Sequence, residues 1–145
     1  MRPSAVIDSN VFVSAVLSSR GAPFQIVEWF REGRIRLYMS DGQLNELYDV
    51  LARPFLTQKL NIPRERITDL LELLEEMTER VDPLDPLPVP VRDPKDEVIL
   101  GAAIAGDADF LVTGDNDLRV LADDPRLGRL QIVTARKFLD IFEPT

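Results

Sequence analysis

The sequence predicts an α/β fold, with a central, mostly parallel sheet of four to five strands and helices on both faces. Two observations carry this. Short apolar β-like runs alternate along the chain with longer helical segments, and strands separated by helices pair in parallel and must be covered on both sides. At 145 residues the chain amounts to one domain, 1–145, long enough to bury a sizeable core. It carries no internal repeat and no low-complexity tract.

Each element can be justified in order. Ala5–Asp8 reads as the first strand, and a helix follows from about Asn10 through the apolar run Val11–Leu17. "APFQIVEWFREG" sets Phe24, Val27 and Phe30 at helical spacing, with Gly33 as a stop signal. "RIRLYM" alternates and reads as the second strand. "SDGQLNELYDVLARP" opens with Ser40 as N-cap and Gln43 three residues on, the pattern of a capping box. Its Leu44, Leu47, Tyr48 and Leu51 form an apolar face. Pro63, at the favoured first helical position, begins "PRERITDLLELLEEMTERV", and Val81 starts a short edge strand. "DPLDPLPVPVRDP" is too proline-rich to be regular and reads as a loop. Asp93-Pro94 caps a helix through "KDEVILGAAIAG". "DFLVT" is a strand, "DNDLRVLAD" a short helix, "LQIVT" a last strand and "ARKFLDIF" a closing helix.

Composition narrows the chemistry. The chain has no cysteine, which removes disulfides, thiolate metal sites and cysteine nucleophiles. It has no histidine, which removes the usual general base, serine–histidine triads and imidazole ligands. A net charge of −8 argues against a general basic surface for nucleic acid, although cations bound in an acidic site would invert the local field. No apolar run approaches a bilayer span, no membrane association is expected, and the amino-terminal strand does not resemble a signal peptide. A cytoplasmic location is the expectation.

The acids fall in a pattern. In a parallel sheet, ligands gather outside the carboxyl ends of the strands. Asp8 ends the first strand, and Asp115 and Asp117 in "VTGDND" follow "DFLVT". Asp96 lies in the first turn of the helix entering that strand and shares a face with Ile99, Leu100 and Ala103, which points it inward. Glu46 occupies the early turns of the helix after the second strand. Two carboxylates about 4 Å apart repel by about 4 kcal/mol at an effective dielectric of 20, so such a group must share protons or bind cations. Oxygen ligands alone select magnesium or manganese. Taken singly, each acid also fits a structural role: Asp8 as a helix cap, Asp96 as a first-turn acid favoured by the helix dipole, "TGDND" as turn formers. Pattern alone does not separate Glu46 from Asp49 or Glu28.

Together these segments resemble the PIN-domain nucleases, in particular the VapC-like toxin components of prokaryotic toxin–antitoxin systems. "AVIDSNVFVSA", "SDGQLNELYDVLARP" and "DPKDEVILGAAIAGDADFLVTGDNDL" are similar to the family's motifs, in order and over nearly the whole chain. The resemblance implies a three-layer fold and a magnesium- or manganese-dependent endoribonuclease. Its acidic cluster would comprise Asp8, Glu46, Asp96 and Asp115, with Asp117 as an auxiliary ligand. Asp8, Asp96 and Asp115 would be the chief ligands, and Asn10 and Thr113 would supply supporting hydrogen bonds. It also implies an RNA substrate, a homodimer and a small antitoxin. The proline-bearing insertion from Asp82 to Arg92 makes the chain longer than the smallest such toxins.

Arg53, Lys59, Arg92, Lys95 and Arg119 lie in segments flanking the acidic edge and are candidates for phosphate contacts, against ordinary solvated charge. Trp29 and Phe30 read as packing residues rather than base-stacking ones. Three alternatives stand beside this reading. A magnesium phosphohydrolase would want an acid two residues after Asp8, where this chain has Asn10. A receiver domain would want an adjacent acid pair and a late lysine. A non-catalytic PIN-like module would bind RNA or protein through a vestigial site.

Overall fold

The computed structural model describes residues 2–142. Five strands, β1 (Ser4–Ile7), β2 (Arg36–Met39), β3 (Glu79–Arg80), β4 (Phe110–Val112) and β5 (Gln131–Val133), form one sheet in the order β3-β2-β1-β4-β5. Every pairing is parallel, and β1 is central, with Val6 opposite Leu111 and Ala5 opposite Leu37. Between the strands lie α1 (Ser9–Leu17), α2 (Ala22–Arg31), α3 (Asp41–Leu51), α4 (Arg64–Met77), α5 (Pro94–Ala105) and α6 (Asn116–Arg119); α7 (Ala135–Phe142) follows β5. Among the described residues no helix is long and apolar enough to cross a membrane.

The strands alternate their side chains between two cores, as a period of two requires. Ala5, Ile7, Leu37, Met39, Phe110, Val112 and Val133 pack on the face covered by α1 to α4 and α7. Val6, Leu111 and Ile132 face the other way, against Ile99, Leu100 and Ala103 of α5 and Leu118 of α6. Trp29 and Phe30 are buried in the first core. Phe138 of α7 meets Phe110 edge-on at 5.2 Å between ring centroids.

Three local expectations differ from the structure, and one further element has no counterpart among them. The edge strand ends at Arg80, just before Val81, whose N–H still donates to Met39 C=O at 3.1 Å. Pro63 is the N-cap of α4 rather than its first helical residue. Tyr48 is not part of the buried face of α3: it is turned toward α4, where its hydroxyl donates to Glu75 at 2.6 Å. Phe55–Lys59, which carries no periodic signal in the sequence, forms a single π-helical turn between α3 and α4.

The proline-rich stretch is irregular but packed. Val89 is buried, and Leu87 and Val91 lie against the α5 core. Leu84 N–H donates to Gly101 C=O at 3.0 Å. A Cβ on Gly101 would stand 2.8 Å from the Leu84 carbonyl oxygen, so glycine is what permits this close approach.

Candidate metal centre

The order of the sheet places a switch point between β1 and β4, because the chain winds outward from β1 through β2 and β3 and then returns to β1's other side. A crevice opens outside the carboxyl ends of strands at such a point. Asp8 follows β1 and caps α1, its Oδ1 accepting the Asn10 backbone N–H at 3.4 Å. Asp115 lies beyond the end of β4 and caps α6, its Oδ1 accepting the Asp117 N–H at 2.8 Å. The capping role of these acids and their place at the crevice coexist: one oxygen of each holds its helix, and among the described residues the second oxygen of Asp115 accepts no hydrogen bond, while that of Asp8 is taken up by Thr113.

Asp96 comes from the opposite face of the sheet. Asp93 caps α5 through the Lys95 N–H at 2.9 Å, Pro94 takes the first helical position, and Asp96 projects from the first turn. It is only 6% exposed, and among the described residues its Oδ2 has no hydrogen-bond donor. Burial pushes the Asp96 carboxyl up to about 6, with Asp115, Asp93, Asp8 and Asp117 adding repulsion. Asp109, at the other edge of the sheet, shows the contrast. Its carboxylate accepts the Ser4 N–H at 3.0 Å and an Arg129 N–H at 2.5 Å, and these partners hold it below the usual carboxylate range.

A cavity of about 340 Å³ is lined by Asp8, Glu46, Asp93, Asp96 and Asp115, and among the described residues Lys95 is its one lining cation. Glu46, half-buried in the middle of α3, reaches the cavity; Asp49 and Glu28 do not line it. Thr113, fully buried, joins two of the acids: its hydroxyl donates to Asp8 Oδ2 at 2.7 Å and accepts the Asp115 N–H at 3.0 Å. Asn10 lines the cavity, and the hydrogen bond it gives Asp8 comes from its backbone rather than its side chain.

The tightest grouping differs from the expected Asp8, Asp96 and Asp115. Among the described residues, Asp96, Asp115 and Asp117 each offer one carboxylate oxygen within 4.8 Å of the others, while Asp8 is engaged by Thr113. The orphaned buried oxygen of Asp96 and the all-carboxylate donor set fit a hard divalent cation, which would offset both the desolvation of Asp96 and the repulsion from its neighbouring acids.

Of the basic candidates, Lys95 lines the cavity and Arg92 Nη2 meets Asp117 Oδ2 at 3.3 Å. Arg119 is exposed on α6 and lies outside the lining. Arg53 and Lys59 also lie outside it. Arg53 is seven residues past Glu46, about 10 Å along the helix axis at the usual rise, so α3 carries it away from the cavity.

Two lining residues have weaker sequence signals. Asp93 reads only as a helix cap, and its place in the cavity follows from α5's docking. Gln43 matches a capping box, and its N–H does donate to Ser40 Oγ at 3.1 Å. Its side chain does not return to Ser40. Instead Nε2 donates to Ile7 C=O at 2.7 Å and to Ser9 Oγ at 3.3 Å, tying α3 to the β1–α1 junction.

Comparison with known proteins agrees with this architecture. The chain is 29% identical over 143 residues to the uncharacterized protein MJ1680 of Methanocaldococcus jannaschii, covering 95% of this chain and 90% of that one. It shares its fold with a chain in the crystal structure of VapBC2 from Rickettsia felis bound to a DNA fragment from their promoter. That likeness has a TM-score of 0.55 at 17% identity and covers 89% of this chain and 96% of the other. The family model of the PIN domain matches residues 4–117, from the first residue of β1 through Asp117, and the chain belongs to the PIN domain family.

Proposed function

We propose that this protein is a magnesium- or manganese-dependent endoribonuclease that hydrolyses RNA phosphodiester bonds at the acidic cavity. We read it as the toxin component of a prokaryotic toxin–antitoxin pair, acting in the cytoplasm as a homodimer restrained by a small antitoxin. The observation that carries the catalytic reading is Asp96: a buried carboxylate with an unpartnered oxygen, grouped with two more acids at the switch point of a PIN domain. The likeness to the VapBC2 chain supports the antitoxin partner.

Asp96, Asp115 and Asp117 would hold the metal, with Asp8 and Glu46 completing the acidic wall. When bound, a divalent ion supplies Lewis acidity at a phosphoryl oxygen and a more acidic water. Thr113 sets the separation of Asp8 and Asp115 by bonding both. Glu46 accepts no hydrogen bond from another described residue, so its carboxylate is available to orient the attacking water and receive its proton. Lys95 supplies a cavity-lining positive charge for a phosphate.

The test is incubation of purified protein with mixed RNAs, with and without magnesium or manganese, beside Asp8→Asn. Metal-dependent cleavage that disappears in the variant supports the reading. Undiminished cleavage by Asp8→Asn removes Asp8 from the site, and no cleavage by the parent under any metal overturns the assignment.

A further inference from the structure

The cavity presents five carboxylates and one lysine to a substrate that is itself a polyanion. Metal offsets part of that charge, but a strand extending over the rim still needs cations there. Arg92 stands at this position. It ends the proline-rich strap, residues 82–92, immediately before Asp93 caps α5. Among the described residues, Asp117 is its only side-chain hydrogen-bond partner, through one of the five N–H donors of the guanidinium. Its side chain is 87% exposed.

The strap is built to hold that arginine in place. Four prolines (Pro83, Pro86, Pro88 and Pro90) restrict its backbone. One end continues from the β2-paired edge through Val81, and the other is fixed by the α5 cap. Between them, Leu84 is seated on Gly101 and Val89 is buried. A solvated, unconstrained loop would need none of these anchors.

We propose that the strap is a rigid arm that carries Arg92 as a phosphate clamp for single-stranded RNA, its guanidinium exchanging Asp117 for the backbone of the bound strand. This rests on the reading of the cavity as a nuclease site. Pairing with Asp117 parks the arginine on one of the three grouped acids. A divalent cation competes for that same carboxylate, so loading the centre releases the guanidinium toward the incoming phosphate. Bidentate donation suits arginine for this task better than lysine.

The experiment measures binding separately from cleavage. Fluorescence anisotropy of a short labelled single-stranded RNA of mixed sequence is recorded with manganese, in the Asp8→Asn background with and without Arg92→Ala, from about 50 to 200 mM salt. Loss of one phosphate contact should weaken binding by about tenfold and reduce the slope of log affinity against log salt by about 0.7. Arg92→Lys should recover much of the salt slope but only part of the affinity. In the absence of RNA, Arg92→Ala should tighten manganese binding by a few-fold. Gly101→Val, which displaces Leu84, should reproduce the loss of RNA affinity with Arg92 still present. Affinity and salt slope unchanged in Arg92→Ala overturn the proposal, as does complete absence of RNA binding. If the parent protein cleaves no RNA but its RNA affinity still depends on Arg92, the nuclease reading fails and the clamp stands.

Discussion

Replacing Asp96 by asparagine separates the cost of this site from its use. The folded protein holds the Asp96 carboxyl at about 6 against an ordinary 3.8, chiefly through burial and then through Asp115, Asp93, Asp8 and Asp117. Below the ordinary value the group is protonated in both folded and unfolded chains and costs nothing. As pH rises from there to about 6, the folded chain retains a proton that the unfolded chain has released, so stability falls; above about 6 the whole penalty is present. A shift of about two units at about 1.4 kcal/mol each gives about 3 kcal/mol as a ceiling. The cavity opens to solvent, and screening brings the figure to about 1–2 kcal/mol. Asp96→Asn keeps the shape and removes the charge. In chelator at about pH 7.5 it should therefore melt about 3–6 °C above the parent, by circular dichroism, for a chain of this size. Near pH 4 the advantage should shrink toward zero. An Asn variant that melts no higher than the parent at the upper pH, or whose advantage is the same at both, would refute the account of Asp96 as an uncompensated buried charge.

Other changes test other parts of the structure. Manganese or magnesium should raise the melting temperature of the parent, by about 2.7 kcal/mol of stabilisation at a hundredfold excess over Kd, and Asp115→Asn should lose most of that gain. Thr113→Val keeps the buried shape but leaves Asp8 Oδ2 without its donor; urea unfolding should show a loss of about 1.5–3 kcal/mol, and RNA cleavage should fall with it. Gln43→Leu breaks the tie to Ile7 C=O while also removing an unpartnered buried oxygen, so its net cost should be only about 1 kcal/mol by the same measurement. Gly106→Ala would bring a Cβ to 2.8 Å from the Tyr38 ring and should destabilise by about 1–3 kcal/mol, with no change in metal affinity.

Much of this protein is determined by sequence-local physics. Strand and helix order follows from apolar periodicity and from caps such as Ser40 and Asp93-Pro94, because these depend on residues within a few positions of one another. The two-sided burial of the sheet follows as well, since parallel neighbours need crossover connections whose helices pack on the sheet faces. Asp8, Asp96 and Asp115 are legible because strand ends and helix starts share one edge of a parallel sheet. Tertiary structure decided the rest. Only the docking of α5 brings Asp93 into the cavity and leaves Asp96 Oδ2 without a donor. Only the β1–β4 pairing lets Thr113 bridge two acids more than a hundred residues apart in the chain. The bond from Gln43 to Ile7 and the seating of the proline strap on Gly101 likewise join distant segments. No local pattern encodes them, because hydrogen-bond partners and close approaches are set by the distance between atoms in space, which the folded sheet alone supplies.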